Sequence, residues 1–258
     1  MPLEIHYSEL GSGEPIILLH GLFGSSRNWR SFARRLQANF RVITADLRNH
    51  GASPHAEDMD YDDMADDVSA LLDKLKLNQA TLIGHSMGGK VAMVLTLRSP
   101  RRIKRLLAID IAPVSYKHSF DPIVRAMKAL PVDCLSSRAQ ADRQLSAWIQ
   151  DTVLRQFLLQ NLVSTHEGFK WRVHLNAISS NSNAIVGFPE FNLGTRYHGP
   201  VCFIGGADSD YITAEYHDPI SRYFPNACLH LIPDAGHWLH VEQPDRFLDV
   251  VLGCLRGD

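Results

Sequence analysis

Cysteine is scarce in this 258-residue chain, and its four copies are scattered: Cys134, Cys202, Cys228 and Cys254, with no C-x-x-C pair. That spacing contains no metal-type cluster, so no metal is expected. Three of the four lie in apolar, strand- or helix-like stretches, where a cysteine behaves as a small buried hydrophobe. A basic excess is missing as well: 26 Lys and Arg stand against 28 Asp and Glu, a formal charge of −2. With nothing to neutralise a phosphate backbone, general nucleic-acid binding is excluded. No apolar run approaches the length of a membrane span, and Met1-Pro2-Leu3-Glu4-Ile5-His6 lacks the basic and apolar regions of a signal peptide. The expectation is a cytoplasmic protein with neither membrane nor nucleic acid among its partners.

The residues that are present suit a globular α/β chain, 45% apolar and 21% charged. Residues 3–8 alternate before Gly11-Ser12-Gly13 and predict an edge strand and a turn. A continuous apolar run at Ile16–Leu19 predicts a strand buried on both faces and Ile103–Ala112 another buried strand, while Arg41–Asp46, Ala80–Ile83, Val201–Gly206 and Cys228–Ile232 read as the other strands. Helical spacing separates them: Trp29, Phe32, Ala33 and Leu36, then Met64, Val68, Leu71, Leu72 and Leu75, then the stretches near 213–223 and after Gln243-Pro244. Strand–helix alternation without internal repeats argues for a mostly parallel sheet with helices on both faces. About residues 119–195 the chain is glycine-poor and helix-compatible without comparable apolar strands, which reads as a helical insertion.

One stretch organises the chemistry. Gly84-His85-Ser86-Met87-Gly88 joins an apolar strand to an apolar helix, the setting in which G-x-S-x-G forms a sharp turn that lifts the serine hydroxyl clear of the sheet. A serine needs a base to become a nucleophile. Of 13 histidines, His237 has the right place, in the small-residue loop Asp234-Ala235-Gly236-His237-Trp238 after the last strand. Loops at the carboxyl ends of parallel strands meet at one rim, where ligands bind.

Two aspartates compete to orient the imidazole, and both keep the chain order Ser, Asp, His. Asp110 sits between apolar neighbours, where a buried carboxylate demands a dedicated partner. Asp208 lies beside Ser209 and Asp210 in a polar turn, where a solvated role is sufficient. The residues lean towards Asp110 without deciding. Two N–H donors must face the developing oxyanion. They are expected from Met87, the residue after the nucleophile, and from Leu22 in the turn His20-Gly21-Leu22-Phe23-Gly24.

Those segments, with Asp46-Leu47-Arg48-Asn49-His50-Gly51 and Ala108-Ile109-Asp110-Ile111-Ala112-Pro113, resemble the YbfF-like esterases of the α/β-hydrolase superfamily. The resemblance covers both ends of the chain and matches the insertion loosely. It implies a mostly parallel eight-stranded sheet flanked by helices, with a helical cap inserted after the sixth strand. The core is then residues 1–114 and 197–258, and the cap is residues 115–196. It also implies hydrolysis of short and medium acyl esters, extending in some members to acyl-CoA thioesters. Members often carry asparagine where Asp208 falls, which raises Asp110 to the triad acid and leaves Asp208 as its substitute.

Phe23, Trp238 and Trp171 are candidates for the acyl-pocket wall, although aromatic residues of a cap more often serve its own packing. Arg48 either binds a substrate anion or pins its loop with Asp46. His50 and His85 are expected to pack or hydrogen-bond rather than catalyse. Mildly basic cap residues (Arg125, Lys128, Arg138, Arg143, Arg155, Lys170 and Arg172) suit a CoA phosphate, or an ordinary solvated face. Neither metal nor organic cofactor is needed, and a monomer or homodimer is expected. Ser86 at the elbow argues against dehalogenase and epoxide-hydrolase chemistry, which need a carboxylate there. A C–C bond hydrolase or lactonase could use the same triad, and a ligand sensor on this fold could retain it.

Overall fold

A computed structural model describes residues 1–166 and 168–256. Seven strands form the main sheet: β1 (Tyr7–Leu10), β2 (Glu14–Leu19), β3 (Phe40–Ala45), β4 (Ala80–His85), β5 (Ile103–Ile109), β8 (Val201–Gly206) and β9 (Ala227–Ile232). Their order is β1-β3-β2-β4-β5-β8-β9, and only the β1–β3 pair is antiparallel. The remaining two, β6 (Leu162–Thr165) and β7 (Gly168–Trp171), pair as a separate hairpin.

The expected eight-stranded sheet is thus seven-stranded among the described residues, and the insertion follows the fifth strand rather than the sixth. All seven stretches that the sequence marks as strands form them, the eighth having been implied by the resemblance alone, and a difference of extent lies at the N-terminus. There Leu3 N–H donates to Asp67 Oδ1 (2.6 Å) and His6 N–H to Ser53 Oγ (2.8 Å), so side chains rather than a neighbouring strand take these donors. The edge strand accordingly starts at Tyr7, not at residue 3.

Alternation along each strand builds two cores. Ile16, Leu18, Ile83, Leu107 and Ile109 face one side, where α1 (Arg30–Leu36) supplies Phe32 and Leu36. Ile17, Leu19, Leu82, Leu106 and Ala108 face the other, against α2 (Tyr61–Lys74) and α3 (Met87–Arg98). Every residue of α3 from Met87 to Leu97 is buried, and only Arg98 at its end reaches solvent.

Its close approach to β4 depends on glycine. A Cβ on Gly84 would stand 2.2 Å from Gly88 O, and one on Gly88 would stand 2.6 Å from His20 O. Both obstacles are backbone and cannot step aside. Gly84→Ala is therefore expected to destabilise by about 3 kcal/mol or more. For a chain of this size that lowers Tm by roughly 6–12 °C in calorimetry.

The insertion comprises α4 (Asp121–Ala129), α5 (Arg138–Leu145), α6 (Thr152–Leu159), the β6–β7 hairpin, α7 (Leu175–Ser180) and α8 (Ser182–Val186). The hairpin corrects the all-helical expectation: its strands are only four residues each, too short for alternation to register. Specific bonds seat the insertion on the sheet domain. Asn161 Nδ2 donates to Phe23 O (2.7 Å), Tyr61 OH to Ile185 O (2.6 Å) and Lys90 Nζ to Val186 O (2.9 Å). After β8 come α9 (His217–Tyr223), α10 (Leu239–Glu242) and α11 (Pro244–Arg256), and α11 covers the α1 face. No helix among the described residues is long and apolar enough to cross a membrane.

The cysteines that are dispersed in sequence do not stay dispersed. Pairing of β8 with β9 sets Cys202 beside Cys228, and α11 brings Cys254 onto the same face.

Candidate active site

Ser86 occupies the β4–α3 junction at φ 51°, ψ −119°, a conformation that an L-residue adopts only under strain. Such strain costs about 1–3 kcal/mol and persists only where the surroundings enforce it. Here Ser86 N–H donates to Ile109 O (2.9 Å), while its carbonyl accepts from Gly89 and Lys90 N–H. Phe23 (φ 60°) and Asp110 (φ 49°) are also left-handed, so backbone strain gathers at this rim.

Asp110 directly follows β5 with its side chain fully buried. Its Oδ1 accepts from Gly206 N–H (3.0 Å). Its Oδ2 accepts from Ser209 Oγ (2.5 Å) and from His237 Nδ1 (2.7 Å). The carboxylate therefore has the dedicated partners that its burial requires, and Nδ1–H of His237 is fixed. Nε2 makes no hydrogen bond among the described residues. Asp208 is exposed, and its only described hydrogen bond is from its backbone N–H to Ala235 O (2.9 Å).

Three residues hold this imidazole and its carboxylate, of which the sequence singled out only His85, as a hydrogen-bonding residue. Tyr211 stacks on the ring of His237 at 4.0 Å, and His85 Nε2–H donates to the His237 carbonyl (2.8 Å). Ser209 is a third. In sequence it served only to mark the turn around Asp208 as polar.

The turn opposite Ser86 is set by two buried histidines. His20 Nε2 accepts from Leu47 N–H (3.0 Å) and His50 Nε2 accepts from Phe23 N–H (3.1 Å). Their Nδ1–H groups donate to Gly21 O and Arg48 O. Each is thus a neutral ring with one defined tautomer. With Phe23 N–H committed to His50, the neighbouring Leu22 N–H and the Met87 N–H at the start of α3 make no turn, loop or cap hydrogen bond among the described residues.

Burial also keeps other rings neutral. It is the main cause that lowers His50 to about 3 and His240 to about 4, and it lowers His20 and His85 too. An unfolded histidine titrates near 6.5, so between that pH and the folded value the unfolded chain binds the extra proton. Stability is then undiminished above about pH 6.5 and falls by about 1.4 kcal/mol per pH unit per histidine on acidification. Denaturant unfolding between pH 7.5 and 4.5 is expected to show this slope. His240→Phe should flatten it by one proton's worth and raise stability, since His240 Nδ1 is buried without a partner among the described residues.

Ser86 and His237 both line one cavity of about 620 Å³ between the sheet domain and the insertion. Its wall is mostly apolar, and aromatic pairs span the two parts: Phe23 with Phe120 (6.3 Å) and Trp238 with Phe157 (5.7 Å). Val153 and Val241, each 65% exposed, also belong to the lining. Of the three aromatic residues named from the sequence, Phe23 and Trp238 line this cavity and Trp171 does not. Its indole N–H donates to Met127 O (2.9 Å) within the insertion, so the need to satisfy that donor turns it away from the cavity.

Arg48 is likewise no ligand for a substrate anion. It is buried in a bidentate pair with Asp67 (2.7 and 2.9 Å), with Asp63 at 3.1 Å, and its loop is pinned by these rather than by Asp46. In the insertion, Arg155 is committed to Asp142 (2.9 Å).

Residues 14–244 match the family model described as the alpha/beta hydrolase fold. The chain is 41% identical over 254 residues to the sn-1-specific diacylglycerol lipase ABHD11 of Danio rerio, covering 95% of this chain and 80% of that one. It is 38% identical over 241 residues to the esterase YbfF of Escherichia coli (strain K12), covering 93% and 92%. The solved structure of a marine microorganism esterase superposes with a TM-score of 0.94 at 39% identity, covering 97% of this chain and 98% of that one. With its sheet order, its elbow and these relatives, the chain belongs to the α/β-hydrolase family and to its YbfF-like esterases, and it is a carboxylic ester hydrolase.

Proposed function

We propose that this chain is a serine carboxylesterase for short- to medium-chain acyl esters, reaching to acyl-CoA thioesters, with Ser86, His237 and Asp110 as its triad. The observation that carries the reading is the bond from His237 Nδ1 to a fully buried Asp110, in a ring that shares an apolar cavity with Ser86. His237 Nε2 takes the Ser86 proton as the oxygen attacks the acyl carbonyl. Asp110 holds the tautomer and stabilises the imidazolium that results. The oxyanion is held by the N–H groups of Leu22 and Met87. His237 then protonates the departing alcohol or thiol, and water releases the acyl group by the same path.

Residues 115–196 act as a cap whose Phe120 and Phe157 close the acyl site from above. A volume of about 620 Å³ lies within the ~300–1,000 Å³ typical of small-molecule sites. The test is steady-state hydrolysis of p-nitrophenyl esters and acyl-CoAs of graded length. A diacylglycerol joins the panel because the Danio rerio relative is named a diacylglycerol lipase. Ser86-dependent turnover that peaks at a short or medium acyl length is expected. Rates no higher than those of Ser86→Ala across the panel would overturn the reading, and lactones and C–C bond substrates would come next.

A further inference from the structure

At the end of the sheet away from the catalytic rim, four soft-metal donors meet. Cys202 and Cys228 are the second residues of β8 and β9 and are directly paired in register. His230 lies two residues after Cys228, so its side chain leaves the same face of this edge strand. Cys254 comes down from α11 onto that face. The three sulfurs and an imidazole nitrogen all lie within 4.8 Å of one another.

We propose that Cys202, Cys228, His230 and Cys254 form a structural zinc site that staples the edge strand β9 to the terminal helix α11. Three thiolates and one imidazole are a donor set that zinc takes in closed, four-coordinate sites. A tetrahedral ion with bonds of ~2.0–2.3 Å holds its donors about 3.3–3.8 Å apart. The cluster needs only small side-chain adjustments to reach that, the largest at the Cys202–Cys228 pair, whose sulfurs are 2.6 Å apart.

Core packing accounts for Cys202 and Cys254, and Cys228 Sγ–H also reaches Val201 O (3.4 Å), but neither accounts for His230. His230 Nε2 is buried without a hydrogen-bond partner among the described residues, and a metal ligand needs no such partner. A simple Cys202–Cys228 disulfide would leave His230 Nε2 unpartnered among the described residues. The burial gradient also provides an entry path, since Cys202 and Cys254 are buried while Cys228 and His230 are half-buried at the sheet edge. All four positions of the ion are filled by protein, so it holds structure and does not catalyse. Binding exchanges each thiol proton for a sulfur–zinc bond and leaves every sulfur at its reduced level.

The test uses the full chain, reduced and stripped by a chelator, then titrated with Zn²⁺ against a chromophoric competitor and separately with Co²⁺. One equivalent of zinc, a higher Tm with zinc, and thiolate-to-cobalt charge-transfer bands with tetrahedral d–d absorption are expected. His230→Asn and Cys254→Ser should each weaken uptake by at least about a hundredfold, no less than removal of an outer-shell partner does elsewhere. Ser86→Ala should bind zinc as the parent does, which separates this site from the proposed catalytic one. The wild-type cobalt spectrum decides the matter even where a variant fails to fold. Substoichiometric zinc, an octahedral cobalt spectrum, or a chain two hydrogens lighter before reduction that takes up no metal after it would overturn the proposal.

Discussion

Ser86→Ala is expected to lower kcat by about a millionfold, the scale on which serine hydrolases lose rate when the nucleophile is removed. The fold should be indifferent to the change. The structural bonds of residue 86 are made by its backbone, through Ile109 O, Gly89 N–H and Lys90 N–H, and all survive the substitution. Alanine also keeps the Cβ, so the strain at φ 51°, ψ −119° is unaltered.

Ser86→Gly separates the two roles of this position. Glycine adopts that region freely, which recovers about 1–3 kcal/mol of strain against a flexibility cost of about 0.5–1 kcal/mol. Both variants should be inactive, with Tm unchanged for alanine and raised for glycine. Calorimetry beside the ester assay checks the pair. Residual Ser86→Ala turnover above about a tenth of the parent's would remove Ser86 from the chemistry, because no other hydroxyl route loses so little.

How much of this was legible beforehand follows from where each constraint originates. The elbow was readable because its demands fall on adjacent residues: Gly84 and Gly88 are required by a β4–α3 approach that admits no Cβ. The turn at Leu22 was readable for the same reason. The bond from Ser209 to Asp110 was not, since Ser209 lies 99 positions away and reaches the carboxylate only through the pairing of β5 with β8. Trp171 was misplaced because residue type indicates what can line a pocket, while the search of an indole N–H for a carbonyl decides where the ring turns. The start of the edge strand was misread at Leu3 and His6, whose backbone donors found side-chain acceptors that no local pattern announces. The converging cysteines were invisible because strand register and helix packing, not spacing, bring them together.

Asp110→Asn is expected to lower kcat by about ten-thousandfold, and Asp208→Asn to leave it within about twofold. At position 110 the carboxylate accepts three hydrogen bonds, from Gly206 N–H, Ser209 Oγ and His237 Nδ1. An amide has one acceptor oxygen and one NH2 group. If the oxygen stays with Gly206, the NH2 faces His237 and forces Nδ1 to accept, which moves the ring proton to Nε2. A ring protonated there cannot take a proton from Ser86. The backbone should tolerate the exchange, because asparagine is among the few residues at ease at the φ of 49° that Asp110 adopts. A lost rate with a near-native Tm is therefore the signature of a wrong tautomer and not of misfolding. Asp208 is exposed and, among the described residues, contributes only its backbone N–H, which asparagine keeps. A crippled Asp208→Asn beside an active Asp110→Asn would assign the acid to the other loop, and the buried Asp110–His237 bond would then be structural.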